Sequence, residues 1–216
     1  MPVDRPSFAR PLWIGAGLLA AALLLAAVVR FGLGDRPFAF DRAWQDAVAA
    51  MRVPALLAFS YAMNGLGGGW FGVFVVPVVV AILLLVLRRP WPAAYFLAAE
   101  LVSAAVVQIL KHVVARPRPA DMIVVSDFGS FPSGHAANAA TIAVALFVLF
   151  PGAAAAIAGG AWVVLMAFSR TCLGAHWLSD TIAGALLGAA TALLAAAVFA
   201  VPLARERRPA AGTSLG

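Results

Sequence analysis

Apolar runs dominate the chain. Six of them approach the roughly 17–25 residues that a helix needs to cross a bilayer. They cover Pro11–Val29, Trp70–Leu87, Trp91–Leu110, Ala136–Phe150, Ala153–Phe168 and Thr181–Val201. The pattern predicts an all-α, polytopic membrane protein with six transmembrane helices. The fourth and fifth runs are short, so their polar flanks must add length or the helices must sit low. Both carry a polar cluster at the same end, as a site recessed into one membrane face would.

The first run follows Arg5 and Arg10. It is longer than the roughly 7–15 residues of a secretory signal's apolar region, and no clear small-x-small cleavage site ends it, so a retained anchor is expected. The longest connection is Gly34–Gly69. Within it, Asp41 is expected to N-cap a short amphipathic helix over Arg42–Arg52, with Trp44, Val48 and Met51 at i, i+4, i+7 spacing. Such a helix can lie on the outer surface, either as a plain connector or as a lip that guides a lipid. Asn64-Gly65 and Gly67-Gly68-Gly69 read as a turn. A single integral membrane domain over 1–204 is expected, with a disordered cytoplasmic tail over 205–216.

Composition agrees with a membrane protein: 64% of residues are hydrophobic and 11% charged, against about 25% charged in soluble domains. The net charge of +6 does not point to nucleic acid, because the arginines sit singly or in pairs at the ends of apolar runs, where topology signals belong. With six spans, eight basic residues fall on the side of the first, third and fifth loops and seven on the side of the termini. The terminal side is the more purely basic, which places the termini in the cytoplasm and the polar clusters outside. Cys172 is the single cysteine, so an internal disulfide or a multi-cysteine metal site is excluded; it reads as a small buried apolar residue.

Three polar clusters carry the candidate chemistry. In the first, Lys111 is followed by Arg116-Pro117 and Arg118-Pro119. Arg-Pro repeats break a helix, and an ammonium beside a guanidinium fork suits phosphate. In the second, Pro132-Ser133-Gly134-His135 opens onto an apolar helix. Ser133 can cap it, Gly134 lets backbone N–H groups come close to a ligand, and the helix dipole favours an anion there. In the third, Ser169-Arg170 is followed by His176 and Asp180. The i, i+4 spacing lets Asp180 accept a hydrogen bond from one nitrogen of His176, leaving the other free to attack. Taken singly, each cluster also has a plain structural reading: a membrane anchor, a helix cap, an ion pair.

Together, in this order and spacing, the clusters resemble the type 2 phosphatidic acid phosphatase superfamily of membrane lipid phosphatases. The motif core spans 91–201. The resemblance implies that His176 attacks phosphorus to give a phosphohistidine, with Asp180 orienting it and His135 as acid and then base. It implies that Lys111, Arg118, Ser133, Gly134 and Arg170 hold the phosphate oxygens, with no metal and no cofactor. Undecaprenyl pyrophosphate, phosphatidylglycerol phosphate and phosphatidic acid are the substrates it suggests, ahead of a lipid A phosphate. The setting it implies is a bacterial inner membrane, with the site facing the periplasm or exterior. Passage of the phosphoryl group to another acceptor uses the same residues and stays open; an anion path would need polar residues spread through the depth of several helices. A vanadate-dependent peroxidase shares the constellation but not the six apolar runs.

Three further polar residues lie near the clusters. His112 fits no motif position and reads as an interfacial side chain. Arg116 reads as a surface charge, with a second phosphate contact as its alternative. Glu100 lies mid-run, three turns before Lys111 and on its face, either as a packing acid or as support for the site.

Overall fold

The computed structural model describes residues 8–33 and 36–207, and these are helical with loop connections. In chain order the helices are α1 (Ala9–Gly32), α2 (Ala39–Ala50), α3 (Pro54–Gly67), α4 (Phe71–Val86), α5 (Pro90–Val114), α6 (Gly134–Leu149), α7 (Ala153–Cys172), α8 (Leu178–Val198) and α9 (Ala200–Arg207). A π-helical turn closes α1 at Val28–Gly32 and another opens α4 at Phe71–Val75.

Helix α8 is the hub, touching α1, α5, α6 and α7. Its glycines explain how closely α6 approaches. A Cβ on Gly184 would run into the Ser133 carbonyl, and one on Gly188 into the Ala137 carbonyl. Toward the other end, Tyr95, Phe96 and Ala99 of α5 pack with Ala145, Ala192 and Ala196, and the Tyr95 hydroxyl donates to the Ala192 carbonyl at 3.1 Å. Large apolar side chains face outward, among them Trp13, Leu24, Phe31, Val86 and Leu101. That surface suits hydrocarbon rather than water as solvent.

Helices α1, α5, α7 and α8 are long and apolar enough to cross a membrane, and the α2–α3 pair, bent by 119°, would make a fifth if it is one broken span. Helices α4 and α6 are apolar but shorter.

The structure corrects the sequence reading in several places. The connection over 34–69 is not a loop with one short helix. Its second half is α3, started by Pro54 in the first turn, where the missing proline N–H costs nothing. Helix α2 begins at Ala39, so Asp41 lies inside its first turn; the carboxylate accepts from the Phe38 N–H at 3.3 Å. The buried face of α2 is Asp41, Gln45 and Val48, while Met51 is 49% exposed. It follows α-helical spacing, and buried polar partners of Asp41, described below, hold it together with the apolar contacts of Val48 and Trp44. Residues 205–207, expected in the tail, complete α9. Glu206 ties this helix back, accepting from the Trp91 N–H at 3.1 Å and facing Arg89 at 3.9 Å. Residues 208–216 lie outside the described residues.

Candidate active site

The C-terminal ends of α5 and α7 and the N-terminal ends of α6 and α8 meet at one end of the bundle. That alternation brings Lys111, His135, Arg170 and His176 to the wall of a single cavity of about 920 Å³. Arg118 reaches the same point from the 115–133 connection, its Nη1 3.4 Å from His176 Nε2.

His176 is 2% exposed and held by its Nδ1, which lies 2.6 Å from the Ser130 carbonyl oxygen. A carbonyl only accepts, so Nδ1 carries the proton and Nε2 keeps its lone pair. Asp180 does not make the bond that its i, i+4 spacing suggests. Its Oδ2 stays 3.8 Å from Nδ1, because the carboxylate is engaged by Arg116 Nη1 at 2.5 Å and the Trp177 N–H at 2.9 Å. Burial, and then the positive charges of Arg170, Arg118 and Lys111, hold the His176 pKa well below the usual histidine range, which keeps the imidazole neutral.

His135 stands in the first turn of α6. Its Nε2 lies 3.1 Å from the Asn64 carbonyl oxygen, leaving Nδ1 free. Gly68 presses on the ring, and a Cβ there would overlap the imidazole. Asn138, one turn further along α6, donates to the carbonyls of Gly67 and Gly72 at 3.2 and 3.0 Å. The break between α3 and α4 is thereby fixed to the helix that carries His135.

The cations are arranged around one carboxylate. Lys111 Nζ is 3.2 Å and Arg118 Nη2 is 2.8 Å from Asp127 Oδ1. Lys111 also donates to the Gly129 carbonyl at 2.9 Å and Arg118 to those of Gly129 at 2.6 Å and Ala175 at 2.5 Å. The Lys111 and Arg118 side chains are 3% and 10% exposed, whereas that of Asp127 is 55% exposed. Partial burial would raise the Asp127 pKa, but Lys111 and Arg118 outweigh it and hold the carboxyl below the usual range. Arg170 is buried, with Nη1 donating to the Asn64 side-chain oxygen and Nε unpartnered. The arrangement is an oxyanion receptor beside an unprotonated imidazole nitrogen.

A profile of the PAP2 superfamily matches residues 92–202. The chain belongs to the PAP2 superfamily. It is 35% identical over 122 residues to a lipid A 1-phosphatase of Rhizobium johnstonii, covering 51% of this chain and 49% of that protein. Against an undecaprenyl-diphosphatase of Sulfolobus acidocaldarius it is 36% identical over 118 residues, covering 50% and 56%. The chain therefore spans about half the length of the curated relatives it matches. A PAP2-type phosphatidylglycerolphosphate phosphatase from Bacillus subtilis has a similar fold, with a TM-score of 0.74 at 24% identity over 91% of this chain and 98% of that one. LpxE from Aquifex aeolicus gives 0.65 at 25% identity, over 73% and 95%.

In this PAP2 chain the other motif positions take distinct places. Ser133 caps α6, its Oγ accepting from the Ala136 N–H at 3.4 Å, and it is fully buried. Gly134 lines the cavity, and a Cβ there would meet only Val107 at an ordinary 3.7 Å. Arg116 is not a surface charge. Its side chain is 1% exposed and joins Asp41 at 2.8 Å to Asp180 at 2.5 Å and Ser179 Oγ at 2.7 Å. Phe38 and Trp177 flank its guanidinium, with ring centroids 5.9 and 5.7 Å away. Asp41 also accepts from the Ser179 N–H and hydroxyl at 2.8 and 2.7 Å, so this cluster pins α2 to the start of α8. His112 lies outside the site, bonded to the Gln108 carbonyl at 2.8 Å and stacked on Phe128.

Ser130, Asn64 and Asp127 escaped the sequence reading. Ser130 and Asn64 act on the histidines through backbone oxygens, which have no residue signature. Asp127 did leave one: an acid between two basic clusters.

Proposed function

We propose that the chain is a metal-independent membrane phosphatase that hydrolyses a lipid phosphate or pyrophosphate through a phosphohistidine. The observation that carries this reading is the Asp127 carboxylate held by Lys111 and Arg118 beside His176 Nε2. A phosphoryl group entering there would exchange one oxyanion for another and meet the lone pair in line.

His176 Nε2 would form the P–N bond as the P–O bond to the lipid breaks. His135, taking up a proton on Nδ1 as the anionic phosphate enters while its Nε2–H stays on the Asn64 carbonyl, would pass that proton to the leaving oxygen. His135 would then take a proton from water as that water attacks phosphorus, releasing inorganic phosphate and restoring His176. Lys111, Arg118 and Arg170, with the Gly134 N–H at the start of α6, would stabilise charge on the nonbridging oxygens, while the Ser133 N–H is taken by the Asp180 carbonyl at 3.0 Å. Asp180 would act at one remove, positioning Arg116 and the start of α8.

The membrane arrangement belongs to the same proposal. Helices α1 and α4–α8 are the six crossings, with α2 and α3 gathered over the site at the outer face. The termini are cytoplasmic, the membrane is a bacterial inner membrane, and the cavity between α4 and α5 takes the lipid.

Purified protein assayed in detergent with EDTA, on a panel of lipid monophosphates and diphosphates, tests the proposal. Phosphate release from at least one lipid, lost in His176→Ala, is expected. A requirement for magnesium, or full turnover by His176→Ala, contradicts it.

A further inference from the structure

The cavity does not end at the cations. It continues along α5 past Gln108, Val107, Ala104 and Ser103 to Glu100 and Leu97, with Phe74 and Pro77 of α4 also on its wall. This extension is apolar apart from a few positions, as a binding site for hydrocarbon should be. Glu100 is the exception. It makes no hydrogen bond or ion pair among the described residues, and its Oε1 is buried without a partner. Ser103, one turn away, is already engaged, accepting from Thr141 Oγ1 at 2.9 Å.

An unpartnered carboxyl oxygen in an apolar cavity is costly to keep. An ionised carboxyl group offers only acceptors and a neutral one offers an acceptor and an O–H, so a group with a hydrogen to donate, such as a hydroxyl, can partner either form. Glu100 precedes Lys111 by eleven positions, roughly 16 Å along the helix axis. A ligand phosphorylated at the cations and lying in this cavity would carry its tail past that oxygen.

We propose that Glu100 is a specificity-determining residue. It accepts a hydrogen bond from a hydroxyl or amide N–H within the tail region of the lipid substrate, and so selects lipids with such a donor over lipids with plain hydrocarbon tails. The inference rests on the phosphatase reading above. Sites built to hydrogen-bond a substrate group discriminate against analogues that lack it, because the site's own group is left unpaired.

The test uses two synthetic phosphatidic acids at equal mole fraction in mixed micelles. One carries stearoyl chains, the other stearoyl chains hydroxylated at carbon 10. Wild-type protein should favour the hydroxylated lipid by about five- to thirty-fold in kcat/KM, mostly through KM. Glu100→Leu should hydrolyse the plain lipid but lose the preference, and Glu100→Gln, which keeps an acceptor oxygen, should retain it. Equal turnover of both lipids by the wild type overturns the inference and leaves the phosphatase reading standing, as does an unchanged preference in Glu100→Leu. If the wild type cleaves neither lipid nor any other lipid phosphate, the phosphatase reading falls and takes this inference with it.

Discussion

His176 Nδ1 and the Ser130 carbonyl oxygen lie 2.6 Å apart. The bond sets which nitrogen keeps its lone pair, and it comes from the backbone rather than from the aspartate four residues on. With Nδ1 committed, Nε2 is the only nucleophilic nitrogen that His176 has. Replacing His176 with alanine should lower kcat by at least about 10³-fold with little change in thermal stability. A variant retaining a tenth of the turnover would contradict the assignment.

Asp127 pairs with both Lys111 and Arg118, and on the proposed mechanism it would compete with phosphate for them. In Asp127→Asn the two cations lose an anionic partner while keeping their backbone acceptors. Inorganic phosphate should then inhibit more tightly, by about three- to tenfold, as the exchange of one charge-assisted contact suggests. Weaker inhibition would mean that Asp127 positions the cations instead of occupying their site.

Gly68 and His135 are in contact through the glycine's bare Cα side. Gly68→Ala should displace the ring and cost about 10²-fold in kcat, the scale of a misplacement of about 1 Å. Binding of inorganic phosphate, which depends on the cations, should change little. A variant with full kcat would remove His135 from the reaction or show that the ring has room to yield.

Much of the site was legible because charge is so conspicuous in an apolar chain. Lys111, Arg118, His135, Arg170 and His176 do converge. Helix α3 was hidden because glycines and Asn64, read as turn signals, sit at its C-terminal end. Arg116 was hidden for a different reason. It is the same residue type as Arg118 and two positions away; its partners Asp41, 75 residues upstream, and Ser179 and Asp180, 63 and 64 residues downstream, separate their surroundings. The Ser130 and Asn64 carbonyls could not be read at all, since every residue has one.

The Arg116 cluster should therefore matter for stability. Arg116→Met would leave Asp41 and Asp180 buried without their cation, a loss of about 3–5 kcal/mol. Asp41→Asn in the same chain should recover part of it, since the two residues are in contact. Thermal unfolding in detergent measures both, and additive losses in the double variant would show that the pair does not interact.

The lowered His176 pKa predicts a pH effect of definite sign. Unfolded, this side chain takes up its proton near pH 6.5; folded, it does so only at lower pH. Between those values the unfolded chain binds more protons, so this group's contribution to stability falls as the pH drops through that window and is constant above it. NMR of ring-labelled histidine should find His176 neutral and protonated at Nδ1 near pH 6. An imidazolium at that pH would contradict the geometry, whereas bound phosphate should raise the value.

The most direct measurement is the chemical form of the intermediate. Turnover of a lipid phosphate quenched under alkaline conditions, followed by mass spectrometry and phosphorus NMR of the modified peptide, locates the phosphoryl group. Phosphate on Nε2 of His176 is the predicted result, because Ser130 holds Nδ1. Phosphate on Nδ1, on His135, or on no protein atom during steady turnover would contradict the account.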